Sequence, residues 1–221
     1  MSIAILHYVY DPFCGWCYGA APMITEATAV PGLEIQAHGV GMLSGEKSKF
    51  VSPEWRDFVR PHEARITAYS KQNFADAYVQ GVLEHEDVRL DSSPPIAAML
   101  TAQQLSGRGI EMLKRLQTAY YQEGRAIADH AVILEIAREL GFESEAFILT
   151  FDAVTKSSLQ AHIERSNEML EALHARGFPA FALEIDGQLE ALPVGHYLNR
   201  PALLKADIES RLNASSMPAV V

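Results

Sequence analysis

Tyr10-Asp11-Pro12-Phe13-Cys14-Gly15-Trp16-Cys17-Tyr18-Gly19 sets the only two cysteines of this 221-residue chain three positions apart, directly after an apolar run. That run, Ile3 to Tyr10, carries β-branched and aromatic residues and ends at Asp11-Pro12, the pattern of a buried strand stopping at a turn. A helix is expected from Cys14 through Ala20, Ala21, Met23 and Ile24 to about Ala29. Pro22 should kink it, because proline lacks the N–H that an interior helical turn requires. Pro31-Gly32 stops the helix and Leu33 to Val40 supplies a second strand. Strand, helix and strand in this order predict a βαβ unit with parallel strands and a right-handed crossover.

Cysteines at i and i+3 in the first turn of a helix share one face, so their sulfurs bond or separate with little backbone movement. Helix N–H groups and the positive end of the helix dipole favour a thiolate at Cys14, which makes it the attacking sulfur. Cys17, one turn deeper, resolves the mixed disulfide by attacking Cys14 and releasing the substrate thiol. A disulfide framework would need more cysteines, more widely spaced. A zinc half-site would need histidines to complete it, and an inert pair would act only as two small hydrophobes. Thiol chemistry is the reading that uses both cysteines and their spacing.

From Ser52 to about Thr150 apolar residues recur at helical spacing, which predicts an all-helical block. Ser93 is expected to cap a helix opening at Pro94-Pro95, and Asp129 another that ends at Gly141. A longer helix is expected from about Ser157 to Ala175, closed by Arg176-Gly177. Ala180 to Ile185 and Gln188 to Leu192, joined by Asp186-Gly187, form a hairpin signal. A final helix from about Arg200 to Leu212 precedes a loose tail, Asn213 to Val221. Phe58, Phe74, Tyr78, Met99, Tyr120 and Tyr121 are candidates for a substrate groove, or for core. His196 lies at an expected turn.

A formal net charge of -10 opposes binding to nucleic acid or to an anionic membrane. No segment reaches the roughly 18 consecutive apolar residues of a membrane span. Met1 to Tyr10 carries no basic residue ahead of its apolar run, so the expected compartment is the cytoplasm. In a cytosol poised at about -220 to -320 mV, a strongly oxidising pair sits reduced, which favours isomerase or reductase work over net oxidation.

The string from Tyr10 to Gly19, with Gly177-Phe178-Pro179-Ala180-Phe181 far downstream, resembles the DsbA-like family, and particularly its FrnE-like cytoplasmic branch. Asp91-Ser92-Ser93-Pro94-Pro95 and the stretch around Ala119-Tyr120-Tyr121 extend the likeness over most of the chain. The resemblance implies an α/β thioredoxin-like fold built from residues 1–50 and 156–221, with residues 51–155 as an inserted all-helical domain over the Cys14 face. It implies a thiol-disulfide oxidoreductase or isomerase acting on polypeptide or small-molecule thiols and disulfides. It calls for no metal and no bound cofactor, with glutathione as a redox partner. It also implies a cis Pro179 facing the cysteines, with Phe178 and Pro179 as substrate contacts; Trp16, between the cysteines, is a candidate peptide contact or a partly exposed aromatic covering the helix start. The residues alone suit an ordinary trans proline opening an edge strand.

One departure stands out. The strand before the site offers His7 and Tyr8 where many superfamily members carry a buried acid, which leaves the proton acceptor for Cys17 unassigned. Two rivals remain. Glutathione-dependent isomerases and transferases of the 2-hydroxychromene-2-carboxylate isomerase type share a split fold of this kind but need no resolving thiol. A non-catalytic module could instead hold unfolded peptide along the helical groove.

Overall fold

The computed structural model describes residues 4–215. Strand β1 (Ala4–Tyr10) leads into two short helices, α1 (Gly15–Gly19) and α2 (Ala21–Ala27), and then β2 (Leu33–Gly39). β1 and β2 pair in parallel, from Ala4 opposite Leu33 to Tyr10 opposite Gly39. The expected single helix is broken rather than kinked. Pro22 falls in the first turn of α2, where its missing N–H leaves no bond unmade, and Ala20 N–H turns back to the Trp16 and Cys17 carbonyls.

The chain then forms β3 (Lys49–Phe50), α3 (Pro53–Ser70), α4 (Asp76–Tyr78, continuing as a π turn over Val79–Leu83), β4 (Arg89–Leu90), α5 (Ser93–Ser106), α6 (Gly109–Tyr121), α7 (His130–Glu139), α8 (Ser144–Ser157) and α9 (Leu159–Ala172). The return is β5 (Ala180–Ile185), β6 (Gln188–Leu192), α10 (Val194–Tyr197) and α11 (Pro201–Ser215). The four-stranded sheet runs β2-β1-β5-β6, with β5 antiparallel to both of its neighbours. Even-numbered β1 residues Leu6, Tyr8 and Tyr10 face a core shared with α2 and α11 through Met23, Leu204 and Ile208. The odd-numbered Val9 packs with Val40 and Ala180 against Leu170 and Leu173 at the end of α9.

The middle of the chain builds a second core around Tyr78, Leu116, Tyr120 and Phe147. The two cores meet at the cysteine motif. Phe13 and Tyr18 insert into the helical core, while Cys14 and Cys17 belong to the core beneath the sheet.

Several local expectations need correction. The expected all-helical block contains a strand, β4, which pairs with β3 just ahead of the block; the two-residue ribbon is too short for its alternation to register in sequence. Ser93 is the first residue of α5 rather than its cap: Asp91 Oδ1 accepts from Ser93 N–H at 2.9 Å, because the Ser92 hydroxyl is turned to Asp11. α9 is shorter than expected, and the chain leaves it through His174 at φ 49°. Asn213 to Ser215, read as the start of a loose tail, complete α11, and His196 lies in the short α10 rather than a turn. Ile3 and residues 216–221 lie outside the described residues.

Candidate active site

Cys14 precedes the first turn of α1, its backbone extended at φ -84° and ψ 112°, and its carbonyl accepts from Tyr18 N–H at 3.1 Å. The side chain is 9% exposed, whereas that of Cys17 is wholly buried. Both are free thiols. Burial pushes the Cys17 thiol well above its usual range, and the hydrogen bond with Cys14 adds to the effect. On the open side, Cys14 Sγ lies 3.7 Å from the Phe178 carbonyl oxygen, to which it donates. The Phe178-Pro179 peptide is cis, and both residues are half-buried where β5 begins. The loop at the far end of the chain therefore reaches the first cysteine.

Asp11 reads in the sequence as half of a turn signal. It is completely buried, and its carboxylate accepts from Phe13 N–H at 3.0 Å, Met42 N–H at 2.7 Å and the Ser92 hydroxyl at 3.0 Å. Those bonds tie the end of β1 to the loop after β2 and to the head of α5. Burial outweighs them and raises the carboxyl pKa to about 6. Asp11 bears on Cys17 in two opposed ways: a hydrogen bond to its backbone lowers the thiol, and the charge of its carboxylate, the weaker of the two effects, raises it. The buried acid absent from the strand itself thus sits one residue beyond it.

His7 takes no part in this group. It points to the opposite face of the sheet, where Nδ1 lies 3.0 Å from His38 Nε2 and Nε2 lies 2.9 Å from Glu184 Oε2. Tyr8 is on the cysteine face, and its hydroxyl donates to the Cys17 carbonyl at 3.2 Å.

Helix α3 crosses α1 at its two glycines. A Cβ at Gly15 would come within 2.9 Å of Ile66 Cδ1, and one at Gly19 within 2.9 Å of Ile66 Cγ2 and 3.2 Å of Ser70 Oγ. That approach forms the roof of an apolar cavity of about 210 Å³, lined by Cys14, Trp16 and aromatic residues of the helical block. Of the aromatic candidates, Phe58, Phe74, Tyr78 and Tyr121 line it. Met99 packs beneath the sheet and Tyr120 in the helical core. Trp16 sits at the mouth beside the exposed Tyr69, their rings 6.2 Å apart. Larger hollows, of about 670 Å³ beside His38 and His162 and about 340 Å³ between α2 and α6, are lined by neither cysteine. Among the described residues no cluster of His, Cys, Asp or Glu is disposed to hold a metal ion. No helix among them is long and apolar enough to cross a membrane.

Comparison with known proteins agrees with this geometry. A DSBA-like thioredoxin domain matches residues 5–199. The cytosolic disulfide reductase DsbM from Pseudomonas aeruginosa is 43% identical, with 95% of this chain and 99% of that one covered and a TM-score of 0.89. The structure of the same reductase with GSH gives 42% identity, the same coverage and a TM-score of 0.88. Pseudomonas aeruginosa DsbA, at 13% identity over 96% of this chain and 85% of its own, shares the fold with a TM-score of 0.53. A search of curated protein sequences finds no match. The chain belongs to the DsbA-like thioredoxin family of thiol-disulfide oxidoreductases.

Proposed function

We propose that this protein is a cytosolic disulfide reductase in which Cys14 attacks the substrate, Cys17 resolves the complex, and glutathione returns the electrons. The observation that carries the reading is the unequal setting of the two sulfurs. Cys14 keeps 9% of its surface exposed beside the Phe178 carbonyl, whereas Cys17 keeps none. An attacking thiolate needs access, whereas a resolving thiol needs only its partner.

In the forward half-reaction the Cys14 thiolate forms a bond to one substrate sulfur, and the other leaves as a thiolate. Cys17 then gives up its proton and attacks Cys14, so that the second substrate thiol departs and the protein holds a Cys14-Cys17 disulfide. Asp11, the carboxyl that bears on Cys17, is our candidate to accept that proton. Two glutathione thiols return the pair to the reduced state and leave as glutathione disulfide. Trp16, Phe178 and Pro179 flank the incoming substrate, the Phe178 backbone offering strand-like hydrogen bonds beside the sulfur. The direction follows the reductase of Pseudomonas aeruginosa, whose structure with GSH supports glutathione as the partner.

The test is to equilibrate the protein against graded reduced and oxidised glutathione and alkylate the free thiols. The expected result is one two-electron transition to an intramolecular disulfide. Cys17→Ser should accumulate a mixed disulfide on Cys14, and Cys14→Ser should form none. If no intramolecular disulfide forms at any ratio, and Cys17→Ser retains glutathione-dependent turnover of a small molecule, the exchange reading fails. The glutathione-dependent isomerase or transferase then takes its place.

A further inference from the structure

The cavity over Cys14 is almost wholly apolar, yet two of its lining residues carry buried polar atoms with nothing to bond. Glu63, on α3, is 5% exposed, and Oε1 of its carboxylate has no hydrogen-bond partner among the described residues. Its other oxygen is held 3.0 Å from the Arg60 guanidinium, the Tyr78 phenol hydrogen-bonds to the carboxyl, and burial raises its pKa while these two partners pull it back down. Trp55 is 9% exposed, and its indole N–H is likewise unpartnered. Native interiors rarely leave such groups unpaired, because each costs its full desolvation. A carboxylate is an expensive group to bury beside a reactive sulfur when an apolar residue would close the same wall.

Around these two atoms the cavity is lined by the rings of Trp16, Phe58, Phe74 and Tyr121, with His62 also on its wall. Ring faces and a carboxylate attract one ligand chemistry in common, an organic cation, since the ring quadrupole and the negative charge both act on it. The unpaired indole N–H asks for an acceptor, which a peptide carbonyl supplies. A volume of about 210 Å³ accommodates a single long side chain rather than a larger ligand. The formal net charge of -10 favours the approach of a basic partner.

We propose that this cavity is the specificity pocket of the enzyme, and that it selects polypeptide disulfides carrying a lysine next to the reacting cysteine. The lysine ammonium meets Glu63 Oε1 between the rings, and a neighbouring peptide carbonyl accepts from the Trp55 indole. The inference rests on the exchange reading above, in which Cys14, on the wall of this pocket, is the sulfur that attacks the substrate disulfide. It adds a substrate class that the cysteine motif does not define.

The experiment uses the fully reduced protein and three acetylated, amidated peptides that differ only beside a single cysteine: lysine, norleucine or glutamate. Each cysteine is blocked as a mixed disulfide with 5-thio-2-nitrobenzoate. The Cys14 thiolate takes the peptide sulfur and expels the coloured thiolate. Cys17 then loses its proton and attacks Cys14, releasing the peptide thiol, so the protein is oxidised by two electrons as the disulfide is reduced. Stopped-flow absorbance reads the first step, and 2-hydroxyethyl disulfide serves as a small neutral reference.

The lysine peptide should react about ten-fold faster than the norleucine peptide and faster still than the glutamate peptide, the scale of a partly desolvated charge contact. In Glu63→Gln the ratio of lysine to norleucine rates should fall to within about two-fold. In Phe58→Ala, at an exposed rim position, it should fall part of the way. Equal rates for the three peptides in the unmodified protein, with 2-hydroxyethyl disulfide reduced normally, overturn the pocket but leave the exchange reading intact. Failure to reduce any of the four substrates overturns the exchange reading itself. Equal wild-type rates overturn the pocket even if a substitution prevents folding, and a lysine preference that survives undiminished in both Glu63→Gln and Phe58→Ala overturns it as the effect of net charge alone.

Discussion

The Asp11 carboxyl is wholly buried and fully hydrogen-bonded, and burial still raises its pKa to about 6 from an ordinary 3.8. A carboxyl raised in this way keeps its proton in the fold after the unfolded chain has lost it. Between about pH 4 and pH 6 the native state therefore binds more protons, and its stability falls as pH rises through that window. A shift of about two units corresponds to about 3 kcal/mol. Asp11→Asn removes the titration, and it also weakens three hydrogen bonds at every pH. We expect the wild-type advantage over Asp11→Asn in urea unfolding to shrink by about 2 to 3 kcal/mol between pH 4 and pH 7. A difference that stays constant across that range would show that Asp11 does not titrate there. In the reaction, Asp11→Asn should slow the second step, release of peptide thiol, more than the first.

At the scale of elements, the crossing of α1 and α3 determines how closely the cavity roof approaches the cysteines. Gly15 and Gly19 lie one helical turn apart and both face Ile66, so α3 lies against bare backbone. Gly19→Val would drive a branched side chain into Ile66 and Ser70 and force α3 outward. The expected cost is about 1 to 3 kcal/mol, read as a lower urea midpoint with an unchanged slope. A midpoint equal to that of the unmodified protein would mean that α3 yields freely. The β5-β6 hairpin is a simpler case. Asp186 and Gly187 adopt φ 50° and 80°, both in the left-handed region, as expected of a two-residue turn whose twist matches that of its strands.

The whole molecule is held together partly by polar clips across the sheet face away from the cysteines. His162 of α9 accepts from Gly39 N–H at 3.1 Å through Nε2, pinning the helix to the end of β2. Burial lowers its pKa to about 4, with Arg165 adding, and His38 is lowered to about 4 by burial and by His7 and His162. The sign is opposite to that of Asp11. Unfolded histidines take up protons near pH 6.5 while the folded ones stay neutral, so stability is lost as pH falls from about 6.5 to 4. His162→Gln keeps an acceptor for Gly39 and removes one titrating ring. Its acid-unfolding midpoint, followed by circular dichroism, should move to lower pH. A midpoint unchanged or raised would place the acid sensitivity elsewhere.

The sequence by itself determined whatever a few neighbouring residues encode. The Ile3–Tyr10 run, the Asp11-Pro12 stop and the Cys14/Cys17 spacing foretold a parallel βαβ unit with both sulfurs at the head of a helix. Asp186-Gly187 foretold the hairpin, and Asp129 capped its helix as expected, accepting from Ala131 N–H at 2.8 Å. Pro22 showed that the helix would be disturbed but not that it would restart, because one missing N–H is compatible with either outcome. Tertiary structure alone decided which polar groups lost water. Asp11 reads as a turn residue until Met42 and Ser92 close over it. Glu63 reads as one more solvated helix charge until α3 folds onto α1 and brings it, with Trp55, into the same cavity as Cys14. Hydrophobic period and turn chemistry are local and so are written in adjacent residues. Burial of a charge depends on segments tens of residues apart arriving at one point, and no window of sequence contains that information.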